Sequence, residues 1–258
     1  MKTISVIKVG GNIIDDPKAL EDFAVGFGKI PGPKLLVHGG GKLATKLAKK
    51  MGIPVTMNQG RRITDAQTLD IITMVYAGSI NKNIVAQLQS HDCNALGFSG
   101  ADGNAILSKK RAPNPINYGY VGDVSQVNTA TLELLLASNI TPVFCAITHD
   151  GNGQLLNTNA DTIAAELAIA LSQSYEVSLY YCFEKNGLLR DVSNETSVIE
   201  QVNTELYQQL LKEGIIAEGM LPKMTNCYHA LHNGVSKVCL GKPEMLFAKN
   251  TIFTTLIK

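Results

Sequence analysis

The order of apolar segments along this chain predicts an α/β protein with a mostly parallel sheet covered by helices on both faces, and three observations carry that reading. Short apolar runs rich in Ile, Val and Leu recur at residues 4–7, 35–37, 141–147, 177–182 and 235–240. Segments of helical periodicity lie between many of them, so that successive strands are joined by crossovers. The first two runs break directly into glycine, as Lys8-Val9-Gly10-Gly11 and His38-Gly39-Gly40-Gly41-Lys42. Ligands of such sheets gather beyond the carboxyl ends of the strands, which is where these turns fall.

Taken in order, 4–7 is the first strand and Pro17 opens a crossover helix over 17–28. Strand 35–37 leads through its glycines into a helix over 42–51. Asn58-Gln59-Gly60 at the centre of 55–64 is a hairpin signal. From Asp65 the spacing Leu69, Ile72, Val75/Tyr76 and Ile80 predicts one long helix to about Ser90. The glycine-punctuated segments 95–98, 105–109 and 120–127 read as short strands joined by loops. A helix over 129–137 and a buried strand over 141–147 follow. Asn157-Thr158-Asn159-Ala160-Asp161 starts an alanine-rich helix over 159–171. Strand 177–182, an amphipathic helix over 204–213 stopped by Gly214, a helix over 220–233 and a last core strand over 235–240 complete the order.

A chain of 258 residues can bury a large core as one two-lobed domain or as two. Its 23 Lys+Arg against 22 Asp+Glu leave a net charge of +1, which argues against nucleic acid or an anionic membrane as partner. Trp is absent, so stacking platforms for bases are scarce. The five cysteines contain no CxxC pair, and Cys145, Cys182 and Cys239 sit in strand-like runs as small hydrophobes. Such usage predicts a reducing compartment. Run 4–7 is too short for a signal peptide, and no apolar run reaches the roughly 18 residues of a membrane span. The expectation is a soluble, cytoplasmic protein.

Glycine lets the backbone approach a ligand, and a helix N-terminus offers N–H groups and positive dipole to an anion. Two such turns within forty residues, one carrying Lys8, predict a floor for phosphate. Neither turn has the G-x-G-x-x-G spacing of a dinucleotide site, and Gly41-Lys42-Leu43 lacks the Ser or Thr of a Walker A loop. A lysine ending an apolar strand is costly unless paired or functional, although a snorkelling surface lysine is the bland alternative for Lys8. Lys223 alone reads as a solvated helix position. Of Arg61 and Arg62, one is expected to be surface, yet the arginine fork suits a carboxylate-bearing substrate. Asp161 could simply be an acidic residue favoured by a helix dipole. His229 and His232 share a helix face without a third ligand, which disfavours zinc.

Together these residues resemble the amino acid kinase family and, within it, the N-acetyl-L-glutamate kinase branch. The resemblance spans nearly the whole chain. It rests on Lys8-Val9-Gly10-Gly11, His38-Gly39-Gly40-Gly41, Gly60-Arg61-Arg62-Ile63-Thr64-Asp65, Ala77-Gly78-Ser79-Ile80-Asn81-Lys82, the glycine-rich stretches 97–103 and 119–124, Asn157-Thr158-Asn159-Ala160-Asp161, and Gly219-Met220-Leu221-Pro222-Lys223.

The resemblance implies a three-layer αβα sandwich forming a single amino acid kinase domain over 1–258. Its N-terminal lobe, about 1–172, would hold an N-acyl-L-glutamate and a dimer surface. Its C-terminal lobe, about 173–258, would hold Mg-ATP. Carried over, Lys8 and Lys223 stabilise the transferring phosphoryl group from two sides and Asp161 orients them. Gly40, Gly41, Arg62 and Asn157 hold the amino-acid substrate. Gly10 and Gly11 give N–H groups to the phosphates, and Gly187 and Gly219 belong to the nucleotide site. No metal ligand is expected from the protein, since magnesium comes on the nucleotide. One segment departs from the family pattern: Phe183 and Glu184 stand where relatives carry a Ser/Thr-Asp pair. In arginine-inhibited relatives an N-terminal helix precedes the first strand and links dimers into a ring; here strand 4–7 begins almost at once, so the resemblance implies a homodimer, formed through the helix from Asp65, that arginine does not inhibit. A carbamate or glutamate kinase, or a non-catalytic amino-acid or nucleotide sensor on this fold, is the alternative.

Overall fold

The computed structural model describes residues 2–58, 60–216 and 220–258. Strand β1 (Lys2–Val9) runs into a short helix α1 (Gly11–Asp15), formed where the sequence shows a glycine turn ahead of Pro17. Helix α2 (Pro17–Gly28) starts where Pro17 predicts, with the Asp16 carboxylate capping the N–H groups of Lys18 and Ala19. Next come β2 (Lys34–His38), α3 (Gly41–Lys50) and the hairpin strands β3 (Met57–Asn58) and β4 (Arg61–Arg62). The expected long helix is continuous but not uniform. It consists of α4 (Ala66–Thr73), capped by Asp65, then a π-helical stretch Met74–Ile80, then α5 (Asn81–Gln89).

Strands β5 (Ala95–Phe98), β6 (Ile106–Lys110) and β7 (Gly122–Val127) and helix α6 (Thr129–Ala137) fall where the sequence places them. The run 141–147 does not form one strand. It divides into β8 (Thr141–Phe144) and β9 (Ile147–His149), because the chain leaves one sheet at Cys145-Ala146 and enters another. After β10 (Leu155–Asn157) come α7 (Ala160–Leu171), capped by Asn159, and β11 (Tyr175–Cys182). The remainder comprises β12 (Gln201–Val202), α8 (Thr204–Lys212), α9 (Leu221–His232), β13 (Lys237–Gly241) and β14 (Thr254–Leu256). Strand β13 is therefore not the last of the core, since β14 pairs antiparallel to it.

The main sheet has the order β12-β14-β13-β11-β1-β2-β8-β5, and the six strands from β13 to β5 are parallel. A smaller sheet, β10-β9-β6-β7, lies beside it. Strand β1 pairs along its whole length with β11, from Lys2↔Tyr175 to Val9↔Cys182, so the two expected lobes share one sheet.

Side-chain alternation along the strands divides the core into two. Ile4, Val6, Leu35, Val37, Leu179 and Tyr181 face the layer of α6–α9, whereas Ile7, Val9, Leu36 and Cys182 face the layer of α1–α5. Lys8 has the parity of Ile4 and Val6, which directs it to α7 and α9. His38 has the parity of Leu36 and faces α5. All five cysteines are free and buried, as small hydrophobes would be, and burial pushes the Cys145 thiol up to about 12. No helix among the described residues is long and apolar enough to cross a membrane.

Candidate active site

Three charged side chains meet at the carboxyl edge of the sheet. Lys8 Nζ lies 2.7 Å from Asp161 Oδ1, an ion pair without an aligned hydrogen bond. Lys223 Nζ donates to Asp161 Oδ2 at 2.7 Å. The sequence elements that deliver them are far apart. Lys8 comes from the end of β1, Asp161 from the first turn of α7, and Lys223 from the first turn of α9. Their side chains are only 15 %, 18 % and 14 % exposed.

An aspartate in a first helical turn is favoured by the dipole, but a lysine there is not. Lys223 is held by Asp161 and by two aromatic faces, with Nζ 4.9 Å from the Tyr181 ring centre and 5.8 Å from that of Phe183. Burial alone would raise the Asp161 pKa, yet the neighbouring Lys8 and Lys223 overcome it and hold the carboxyl well below the usual carboxylate range. The Tyr181 hydroxyl fixes this turn of α7 by donating to the Asp161 carbonyl at 2.9 Å. With one carboxylate between two ammonium groups, the cluster keeps one net positive charge and points to an anionic ligand.

The second glycine turn builds the other half of the site. Gly39 packs against the first residue of α7, where an added Cβ would sit 3.8 Å from the Ala160 Cβ, so this turn adjoins the Asp161 cluster. Gly40 has no room for a side chain, because a Cβ would fall 2.2 Å from Ile80 Cδ1. The N–H groups of Gly40 and Gly41 make no hydrogen bond among the described residues. Arg62, 8 % exposed, donates through Nη2 to the Gly41 carbonyl at 3.0 Å and to Thr45 Oγ1 at 2.7 Å. Its Nη1 is buried without a partner, a donor awaiting an acceptor. Arg61, next to it, is exposed. Asn157 donates to Thr64 Oγ1 at 2.9 Å, which ties β10 to the hairpin that carries Arg62. A groove of about 750 Å³ opens at Gly41 and Arg62, lined also by Lys42, Lys46 and Lys49.

The glycines divide in role. Gly10 gives its N–H to the Cys182 carbonyl at 3.0 Å, so that N–H does not face a phosphate, contrary to the expectation; its smallness lets β1 approach β11. The Gly11 N–H stays uncommitted among the described residues. Gly187 is buried against β14, where a Cβ would lie 2.5 Å from Thr254 Oγ1. Gly219 lies outside the described residues. Thr45 and Tyr181, and the contact of Phe183 with Lys223, emerge only from the structure, since these pairings join segments far apart in sequence. His229 faces Glu166 at 3.0 Å across α7 and α9, which accounts for it without a metal.

The amino acid kinase family model matches residues 3–242. The chain belongs to the amino acid kinase family. Within this family it is 53 % identical over 247 residues to an acetylglutamate kinase of Cytophaga hutchinsonii, covering 95 % of this chain and 94 % of that one. It is 50 % identical over 237 residues to an acetylglutamate kinase of Bacteroides fragilis, covering 92 % and 91 %. Among solved structures, an N-acetylglutamate synthase of Neisseria gonorrhoeae superposes with a TM-score of 0.84 at 20 % identity, over all of this chain and 59 % of that one. That last likeness speaks for the fold alone. Amino acid kinases have the layered α/β architecture described above, and the sequence expectation of the three-layer fold is met.

Proposed function

We propose that this chain transfers the γ-phosphoryl group of ATP to the γ-carboxylate of N-acetyl-L-glutamate, making an acyl phosphate in arginine biosynthesis. The observation that carries the reading is the pair Lys8 and Lys223 bracketing Asp161 at the mouth of the sheet, in a chain about half identical to acetylglutamate kinases. A glutamate γ-carboxyl group ionises near pH 4.3, so it is a ready nucleophile at neutral pH and needs no general base. A carboxylate oxygen attacks the γ-phosphorus in line as the bond to the β,γ-bridging oxygen breaks. ADP leaves, and no proton changes hands. The obstacle is the mutual repulsion of two anions, which fixed positive charge and N–H donors overcome. In this reading Lys8 and Lys223 take the charge of the transferring group, and Asp161 holds them apart at fixed positions. A sensor without chemistry would have no use for that charge.

The substrate's α-carboxylate would fill the orphan Nη1 of Arg62, with Gly40, Gly41 and Asn157 completing its cradle. ATP would lie across the ends of β11 and β13. Asp161 has both oxygens committed to ammonium groups, so it is poorly suited to ligate a metal, and magnesium would enter on the nucleotide phosphates, neutralising part of their charge. The enzyme is proposed to act in the cytoplasm as a homodimer. Helical residues 66–89 leave Asp70 and Met74 exposed, Met74 at 53 %, as a surface for a two-fold contact. Light scattering at assay concentration should give the dimer mass and Met74→Glu the monomer mass; a monomeric wild type would overturn the assembly.

Trapping the product with hydroxylamine tests the activity, with N-acetyl-, N-succinyl- and free L-glutamate compared side by side. The strongest signal is expected with the N-acetyl compound, and no hydroxamate from any acyl-glutamate would overturn the reading. Arg62→Lys should raise the KM for acyl-glutamate by about 10- to 100-fold and leave that for ATP within about twofold, because lysine lacks the planar fork. Equal effects on both substrates would make Arg62 a structural residue instead.

A further inference from the structure

His38 ends β2, and Asn81-Lys82 opens α5; the chemistry above uses none of them. His38 is wholly buried and Asn81 is 1 % exposed. Two hydrogen bonds join the three residues and two more tie them to the Val143 and Gly39 carbonyls, and the directions can be assigned one by one. Lys82 Nζ, which can only donate, lies 3.1 Å from Asn81 Oδ1 and so marks the amide oxygen. Asn81 Nδ2 then donates to the Val143 carbonyl at 2.9 Å and to His38 Nε2 at 3.0 Å. A ring nitrogen that accepts carries no proton, so a neutral imidazole keeps its proton on Nδ1. That nitrogen lies 2.8 Å from the Gly39 carbonyl and donates to it.

The surroundings are shaped for this relay. The π-helical stretch Met74–Ile80 widens the helix just before Asn81, shifting its register so that Ile80 fills the space under Gly40 while Asn81 reaches β2. Gly97 leaves the room that Asn81 and Lys82 occupy, since a Cβ there would fall 1.8 Å from Asn81 Oδ1 and 2.6 Å from Lys82 Nζ. Burial also pulls the His38 pKa down to about 4, with the nearby Lys82 charge acting in the same direction, so the ring is neutral at physiological pH.

We infer that His38 and Asn81 are positioning residues that lock the Gly39 peptide through a one-way hydrogen-bond relay, so that the free N–H groups of Gly40 and Gly41 stay aimed at the substrate. Neither residue touches the substrate. The inference rests on the reading of the glycine turn as the acyl-glutamate floor.

Long-range proton–nitrogen NMR of the labelled full-length protein should show the His38 ring as the neutral Nδ1–H tautomer from pH 6 to 8. Asn81→Asp is isosteric, but its carboxylate can only accept, so it draws the proton of the neutral ring to Nε2 and leaves the Gly39 carbonyl without its donor. The KM for N-acetyl-L-glutamate should then rise by about tenfold, the worth of one hydrogen bond, with the KM for ATP within about twofold and kcat changed less. Lys82→Met, at an exposed position that preserves folding, should give a smaller rise confined to the same KM. A wild-type ring protonated on Nε2 would overturn the relay. So would a folded Asn81→Asp enzyme with unchanged substrate KM, or one in which both KM values rise alike. Failure of the substrate reading looks different: wild type then yields no hydroxamate from acyl-glutamate, while the ring still reports Nδ1–H.

Discussion

Lys8→Ala should lower kcat by about 10²–10³ while the KM for each substrate changes no more than a few-fold, as expected for loss of one electrostatic donor to the transition state. The cluster explains the size of the effect. With Lys8 it carries one net positive charge; without it, Lys223 and Asp161 form a neutral pair at 2.7 Å. Charge builds between nucleophile and leaving group as the phosphoryl moves, so a positive charge held there lowers the barrier more than it strengthens ground-state binding. The fold should tolerate the change, because Lys8 is the last but one residue of β1 and its neighbours Val9 and Ile7 keep their burial. Steady-state kinetics on a variant with an unchanged melting curve checks this, and near-normal turnover would remove Lys8 from the chemistry.

Much of this site was legible because its residues sit where short-range rules act. The glycine turns, Lys8 at the end of its strand, the Asn-Gln-Gly hairpin and the helix start at Asn157–Asp161 all follow from local pattern. Asn157-Thr158-Asn159-Ala160-Asp161 shows how far that goes: the structure gives three of its polar residues separate tasks, with Asn157 bound to Thr64, Asn159 capping α7 and Asp161 pairing with both lysines. What could not be read was pairing between distant segments. The sharing of one lysine between Asp161 and the rings of Tyr181 and Phe183 needs three strands and helices in place first. The division of residues 141–147 was hidden because an unbroken apolar run looks alike whether it serves one sheet or two. Strand β14 is only three residues long, too short for the β-branched signal of Thr254 and Thr255 to stand out. The π-helical stretch was invisible in principle, since one widened turn barely disturbs a period of 3.6 residues. Gly10 shows a limit of another kind: a glycine whose N–H pairs with a neighbouring strand looks in sequence like one whose N–H faces a ligand.

Asp161→Asn tests the other side of the same electrostatics, and here stability and catalysis should fall together. Removing the carboxylate leaves two ammonium groups, each about one-seventh exposed, facing a neutral amide and each other. Breaking a partly buried ion pair in this way costs about 3 kcal/mol or more, which for a chain of this size is roughly 6–12 °C in Tm. kcat should fall by about 10², because the lysines lose the anchor that holds them in line. The pH dependence gives the sign. Asp161 has a folded pKa below its unfolded value of 3.8, so its stabilisation is fully present above that value and is lost as pH falls through it towards the folded pKa. The stability gap between wild type and Asp161→Asn should therefore be widest at neutral pH and narrow below about pH 4. Mg-ATP supplies a competing anion for the two lysines. It should raise the Tm of Asp161→Asn by more than it raises that of wild type, because phosphate oxygens there relieve a repulsion that wild type has already neutralised. Melting curves with and without Mg-ATP, taken at pH 7 and at about pH 3, below the unfolded value, measure all of this. Equal nucleotide shifts in the two proteins, with a pH-independent gap between them, would mean that Asp161 acts as an ordinary helix-start carboxylate and that the lysines are placed by something else.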